Sequence, residues 1–131
     1  MIDLNLTGLS ALQTLTRSSR VEEAAQKALE RQAEKLVEAI RGAAPEDTGA
    51  LRDSVRQEPG DDPLTVRVVA GDDENTVKPS PSGYAWDVAA LVEFGTSQSS
   101  AQPFFWPTVN EMRGSIKADI AADIQLNLEK Q

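Results

Sequence analysis

The stretch SRVEEAAQKALERQAEKLVEAIRG, residues 19–42, decides the fold. Val21, Ala25, Ala28, Leu29, Ala33, Leu36, Val37 and Ile40 recur three and four residues apart, which places them on one face of a helix. Glu23, Lys27, Glu30, Arg31, Glu34, Lys35 and Glu38 fill the opposite face. Glu23 and Lys27 make a favourable i,i+4 pair, and Lys27–Glu30 and Arg31–Glu34 add i,i+3 pairs. Ser19 followed by Glu22 fits a capping box, which satisfies backbone amides that the first helical turn leaves without partners. Gly42 and Pro45 end the element. At 1.5 Å per residue the helix is about 35 Å long.

Such a helix needs an apolar surface to cover, and the flanking segments supply one. Upstream, Ile2, Leu4 and Leu6 alternate with Asp3, Asn5 and Thr7, the period of a short strand. Gly8 breaks it, and Leu9, Leu12 and Leu15 then recur at helical spacing, so residues 1–18 read as a peripheral arm. Downstream, Asp47 is placed to cap a short helix starting at Thr48, which Leu51 and Val55 anchor to the core. A strand around residues 53–58 then pairs with a second over 64–69, across the turn Pro59 to Pro63. In the second strand Leu64, Val66 and Val68 alternate with Thr65, Arg67 and Val69. Residues 71–83 combine Gly71, Asp72, Asp73, Glu74, Pro79, Pro81 and Gly83, which reads as a long, irregular, mobile loop. Tyr84–Val88 suits a strand and Ala89–Phe94 a short helix or turn. After a small-residue loop, Pro107 is placed as the first residue of a last helix reaching about residue 129. Its stripe is Val109, Met112, Ile116, Ile120 and Ile124, and Gly114 weakens it by about 1 kcal/mol relative to alanine. The order predicts a single α+β domain over residues 1–131, a small antiparallel sheet packed against a long N-terminal and a long C-terminal helix.

Composition narrows the chemistry. The chain of 131 residues has no cysteine and no histidine. Disulfide scaffolds, Cys-based zinc sites and thiol catalysis are excluded, as are Ser-His-Asp and Cys-His arrangements. Carboxylate chemistry stays open, with Asp47, Asp53, Asp87 and Glu93 as its candidates, but their spacing forms no metal-ligand pattern. No cofactor or metal is expected. The net charge is −8, from 21 acidic and 13 basic residues, which argues against binding to DNA or to an anionic membrane by counterion release. Residues 56–94 hold 8 of the acids and 3 of the bases. The clusters Asp61-Asp62 and Asp72-Asp73-Glu74 flank strands and read first as solvated loop tips. No basic region followed by an apolar run opens the chain, and no apolar stretch reaches the roughly 20 residues of a membrane span, so synthesis in the cytoplasm is expected.

Three segments, in order, carry a resemblance. They are Pro45-Glu46-Asp47-Thr48-Gly49-Ala50-Leu51 after the long helix, Val92-Glu93-Phe94-Gly95-Thr96, and Gln102-Pro103-Phe104 followed by Pro107 and the last helix. Together they resemble the gene-ten-like neck proteins of lambdoid siphophages, small head–tail joining or tail-completion proteins, over roughly residues 20–128. Asp-Thr-Gly also occurs in aspartic proteases, but here it occurs once and at a helix start. Consecutive aromatics at Phe105-Trp106, the acidic loop and the N-terminal strand depart from the family's usual pattern.

The resemblance implies a non-enzymatic virion protein, assembled in the host cytoplasm. It implies a homo-oligomeric ring, a hexamer or dodecamer, between head connector or stopper and tail terminator or tail tube, with DNA passing unbound. Its motif or interface residues are Asp47, Thr48, Gly49, Leu51, Glu93, Phe94, Gly95, Thr96, Gln102, Pro103, Phe104 and Trp106. In physical terms Gly49 and Gly95 mark tight turns or the approach of another chain. Glu93 suits a loop brace accepting the amides near Gly95 and Thr96, or a pair with an arginine of a neighbouring subunit. Phe104 reads as core; for Trp106, core and interface both stand open. Asp72, Asp73 and Glu74 form an acidic loop that could face a ring lumen or a partner. A tail terminator capping the tube is the nearest alternative. An acidic binding module, such as an antitoxin or DNA mimic, is the alternative from another class.

Overall fold

A computed structural model of the chain describes residues 1–7, 19–45, 49–79 and 85–129. Along the chain run β1 (Ile2–Thr7), α1 (Ser19–Ala43), α2 (Ala50–Ser54), β2 (Arg56–Pro59) and β3 (Thr65–Ala70). They are followed by β4 (Val77–Pro79), β5 (Ala85–Asp87), α3 (Val88–Phe94) and α4 (Trp106–Glu129). β1, β3 and β2 make an antiparallel sheet in that order, and β4 and β5 make a separate antiparallel pair. The protein is therefore α+β, with a small antiparallel sheet and a long helix near each end of the chain.

α1 stands at the centre. Ala25, Ala28, Leu29, Ala33, Leu36, Val37 and Ile40 are all buried, as the periodicity requires. Small residues on this face let α4 approach closely. Arg20 donates to the Leu128 carbonyl, Asn127 to the Ala24 carbonyl, and Gln32 to Asp123. Rising numbers in α1 thus meet falling numbers in α4, so the two helices run antiparallel. From α4 come Val109, Ile116, Ile120 and Ile124, with Met112 half-buried. The other side of α1 receives the sheet through Val66, Val68 and Ala70.

β3 is the central strand because its even-numbered residues cover the core while both edges find partners. Ile2 pairs with Ala70 and Leu6 with Val66 on one side, and Arg56 pairs with Val69 on the other. Val69 faces away from α1, yet it is fully buried. Its partner Arg56 extends to the carbonyls of Ser54 and Gly71.

Most element boundaries shift by a residue or two from the sequence expectation, and three differences have a clear physical reason. The strand expected at 53–58 begins at Arg56, because the helical turn of α2 occupies residues 50–54 with Leu51 and Ser54 buried. The last helix starts at Trp106, one residue before Pro107, which still lies in the first turn where its missing N–H costs nothing. Part of the segment expected to be irregular is regular. Asp73 Oδ1 accepts the amide of Asn75, the Asp73 carbonyl accepts those of Thr76 and Val77, and β4 follows directly. The helix suggested by Leu9, Leu12 and Leu15 lies outside the described residues, as do Asp47, Thr48 and Tyr84.

Candidate functional site

The motif residues converge on α3. Its N-terminus is capped by Asp87, whose Oδ1 accepts the amide of Ala89 at 3.0 Å. Asp87 Oδ2 also accepts the amide of Asp72 at 2.8 Å and meets the terminal ammonium of Met1 at 3.1 Å. Burial pushes this carboxyl up, but the two amides and the ammonium outweigh it and hold the group below its ordinary value. Gly71 lies against this carboxylate: a Cβ there would come within 2.5 Å of Asp87 Oδ1, and its φ of +88° favours glycine. The acidic loop of Asp72, Asp73 and Glu74 is thereby tied to the start of α3.

At its other end α3 stops at Gly95, with φ 76° and its amide on the Leu91 carbonyl at 2.8 Å. A side chain at Gly95 would meet the Ala101 backbone at 2.8 Å, so here the chain approaches itself. Thr96 Oγ1 accepts the amides of Gln98 and Ser99, and the Gln102 amide returns to the Val92 carbonyl. Gln98 and Ser99 thus turn on a threonine side chain, and Gln102 restores contact with α3.

Glu93 completes the unit. It is 4% exposed. Its Oε1 accepts the amides of Phe104 and Phe105 at 2.9 and 2.8 Å, and its Oε2 accepts that of Trp106 at 3.1 Å. The brace expected from sequence is present, but on these amides and not on those of Gly95 and Thr96. The physical reason is the start of α4. Trp106 is the first residue of α4 and Phe104 and Phe105 lead into it, and amides at a helix start lack intrahelical acceptors and carry partial positive charge, so a carboxylate satisfies them well. Phe104 and Phe105 are buried beneath this contact, and Trp106 is partly buried with its ring edge-on to Phe105 at 5.0 Å.

The remaining expected residues take simple places. Gly49 precedes α2 with φ 77°, and nothing lies near the position of a Cβ, so its conformation and not a close approach requires glycine. Leu51 is buried. Pro103 and Gln102 are exposed. Phe94 is 67% exposed and Trp86 53% exposed, at opposite ends of α3. Trp86, Pro45, Leu91, Val92, Thr96 and Gln102 line a shallow groove, which brings the first and second motifs side by side. Trp86 and the capping role of Asp87 were not foreseen, although an aspartate before a short helical run is a standard N-cap signal. The buried pair Gln32–Asp123, 2.5 Å apart, carries no mark in the sequence that separates it from surface polarity.

Among the described residues no group of three acidic side chains is placed to hold a metal ion. No helix among them is long and apolar enough to cross a membrane. Interlocked backbone hydrogen bonds presenting exposed aromatics suit docking to another protein. Residues 9–95 match the family model described as "Bacteriophage HK97-gp10, putative tail-component". The chain belongs to this family of bacteriophage tail components. The match takes in α1 to α3 and ends at Gly95, so the Gln102-Pro103-Phe104 motif and α4 lie beyond it. No curated protein and no solved structure matches the chain.

Proposed function

We propose that the chain is a non-enzymatic neck subunit that joins head to tail in a long-tailed phage particle, one domain spanning residues 1–131. It works as a ring, a hexamer or dodecamer formed on assembly, between the head connector or stopper and the tail terminator or tail tube. The observation that carries this reading is family membership, together with the corner on which the motifs converge. Glu93 joins α3 to α4 through three amides, and beside that joint Phe94 stands in solvent. A stiff corner with exposed aromatics favours a subunit or partner contact over a catalytic cleft.

In this reading Asp47, Thr48, Gly49 and Leu51 shape the first contact loop, and Glu93 to Thr96 with Gln102 to Trp106 shape the second. Asp72, Asp73 and Glu74 face the lumen, where negative charge repels phosphates and lets DNA pass without sticking. The protein then resides in the virion neck. Removing the chain from the particle that contains it tests the reading. The expected result is filled heads and tails of normal length that fail to join. Over-long tail tubes would instead identify a tail terminator, the second reading that the tail-component family supports. Particles that assemble and infect normally would overturn both.

A further inference from the structure

The two edges of the three-stranded sheet carry opposite charge. The order β1-β3-β2 leaves β1 and β2 as its edge strands. On an edge strand every second residue turns its N–H and C=O away from the sheet, which makes the edge a template for another chain. Beside β1 an open cleft runs to α4, with Leu4, Leu6, Val109 and Ile116 in its apolar lining. Arg113 and Lys117 form its rim, and among the described residues no acid borders it. The two bases stand one turn apart, a spacing at which like charges destabilise a helix. Beside β2 an open groove runs to α1, bordered by Gln26, Glu30, Glu58, Asp61 and Asp62 and, among the described residues, by no base. Glu58 is paired with Arg56 and Arg67. Arg113, Lys117, Glu30, Asp61 and Asp62 are exposed, and among the described residues none of them forms an ion pair.

Both charged sets stand on the helix side of the sheet. The Gln57 side chain of β2 donates to the Glu30 carbonyl, and Leu36 of α1 joins the lining of the β1–α4 cleft. Asn5 and Glu58 both stand opposite Arg67, so the two edges lie level along the strands. β1 and β2 each run antiparallel to β3 and are therefore parallel to each other. A head-to-tail step sets β2 of one copy alongside β1 of the next, in the same direction, with acids toward bases. A two-fold contact would instead set base against base or acid against acid, which is costly. The cleft and the groove share no residue, and neither includes the α3 corner or residues 72–74. Distinct, complementary surfaces on opposite sides of a subunit are what a heterologous, ring-closing contact requires.

We propose that the β1 edge and its basic cleft receive the β2 edge of a second copy of this chain, with Glu30 and Asp61 of that copy facing Arg113 and Lys117. The proposal rests on the ring reading above and names the surfaces through which that ring closes. The chain has no cysteine, so introduced thiols report contacts without background. Asn5→Cys marks the cleft and Pro59→Cys the groove, and both positions are exposed. Association raises the effective concentration of the paired thiols, so with a short bis-maleimide this mixture is expected to cross-link about ten-fold faster than a control. The control pairs Asn5→Cys with Asn75→Cys, an exposed position on neither edge. Adding Arg113→Glu with Lys117→Glu to the first partner is expected to reduce the rate to the control with the circular dichroism unchanged. Adding Glu30→Lys with Asp61→Lys to the second partner as well is expected to restore most of the rate. A rate no higher than the control, a loss that the second pair of reversals does not restore, or Asn5→Cys alone linking as fast as the mixture overturns the proposal. Particle assembly judges the ring reading separately. Joining lost on deletion without preferential cross-linking removes this interface and keeps the neck assignment. Normal particles remove the neck assignment whatever the thiols show.

Discussion

The body formed by α1, α4 and the three-stranded sheet is held by apolar burial, whereas the corner around α3 is held by two carboxylates. In the body Leu29, Leu36, Ile40, Val68 and Ile120 belong to one cluster of buried apolar side chains. In the corner Asp87 gathers the start of α3 and the acidic loop, and Glu93 gathers the end of α3 and the start of α4. Damage to the body is shared among many contacts. Damage to the corner falls on one side chain and on the segment it holds.

The sharpest way to break this contrast is Glu93→Ala. It strands three backbone amides, two of them at buried residues, and an unsatisfied buried donor costs about 1–3 kcal/mol. The expected loss is about 4 kcal/mol in urea unfolding, with Glu93→Gln losing less because it keeps one acceptor oxygen. Hydrogen exchange should show residues 102–108 opening first. Uniform loss of protection across α1 and the sheet would show that the corner is no separate unit.

Leu36→Ala is the matching cut in the body. A fully buried leucine truncated to alanine costs about 3 kcal/mol. Here the protection of the 95–106 loop relative to α1 should stay unchanged. Selective opening of that loop would mean that the two regions are coupled through the core.

Asp87 supplies a pH test. Its folded-state value lies below the ordinary 3.8, so it stabilises the fold above pH 3.8, and that contribution is lost as pH falls through the folded value. Asp87→Asn keeps a capping oxygen, so at pH 7 it is expected to cost about 1 kcal/mol, mostly through the lost charge. The variant and the parent should converge in stability as pH falls below the folded value. A constant gap from pH 7 to pH 2 would count against the assignment.

The smallest expected effect is a gain. Gly114 lies within α4, and nothing stands near the position of a Cβ. Gly114→Ala should therefore stabilise by about 1 kcal/mol and raise the melting temperature. No change would mean that the middle of α4 contributes less helical order than its length suggests.

The elements held by periodicity were legible in the sequence. The stripe of α1 and that of α4 are buried as their spacing requires, and the alternation of Ile2, Leu4 and Leu6 is that of an edge strand. Glu93 was legible as a brace because a single charge inside Ala89–Phe94 demands a partner. Its partners were not legible, since residues 11 to 13 positions away come within reach only when the chain turns at Gly95. The same holds for Asp123, which looks like an exposed acid until α4 is laid against α1 and Gln32. Regular structure in 71–79 was hidden for another reason. Side-chain caps such as Asp73 and Thr76 stabilise turns in segments whose composition reads as loop.

By itself the sequence determined the α+β class, the two amphipathic helices, the absence of histidine and cysteine chemistry, and the ordered motifs of a phage tail-component family. These follow from local properties: the period of apolar residues, the residue types present, and short-range spacing. Tertiary structure alone decided that the motifs meet around α3, that Glu93 caps α4, and that a cleft with a basic rim opens between β1 and α4. Each of these depends on groups far apart in the chain, whose attraction has no counterpart in sequence until burial brings them together.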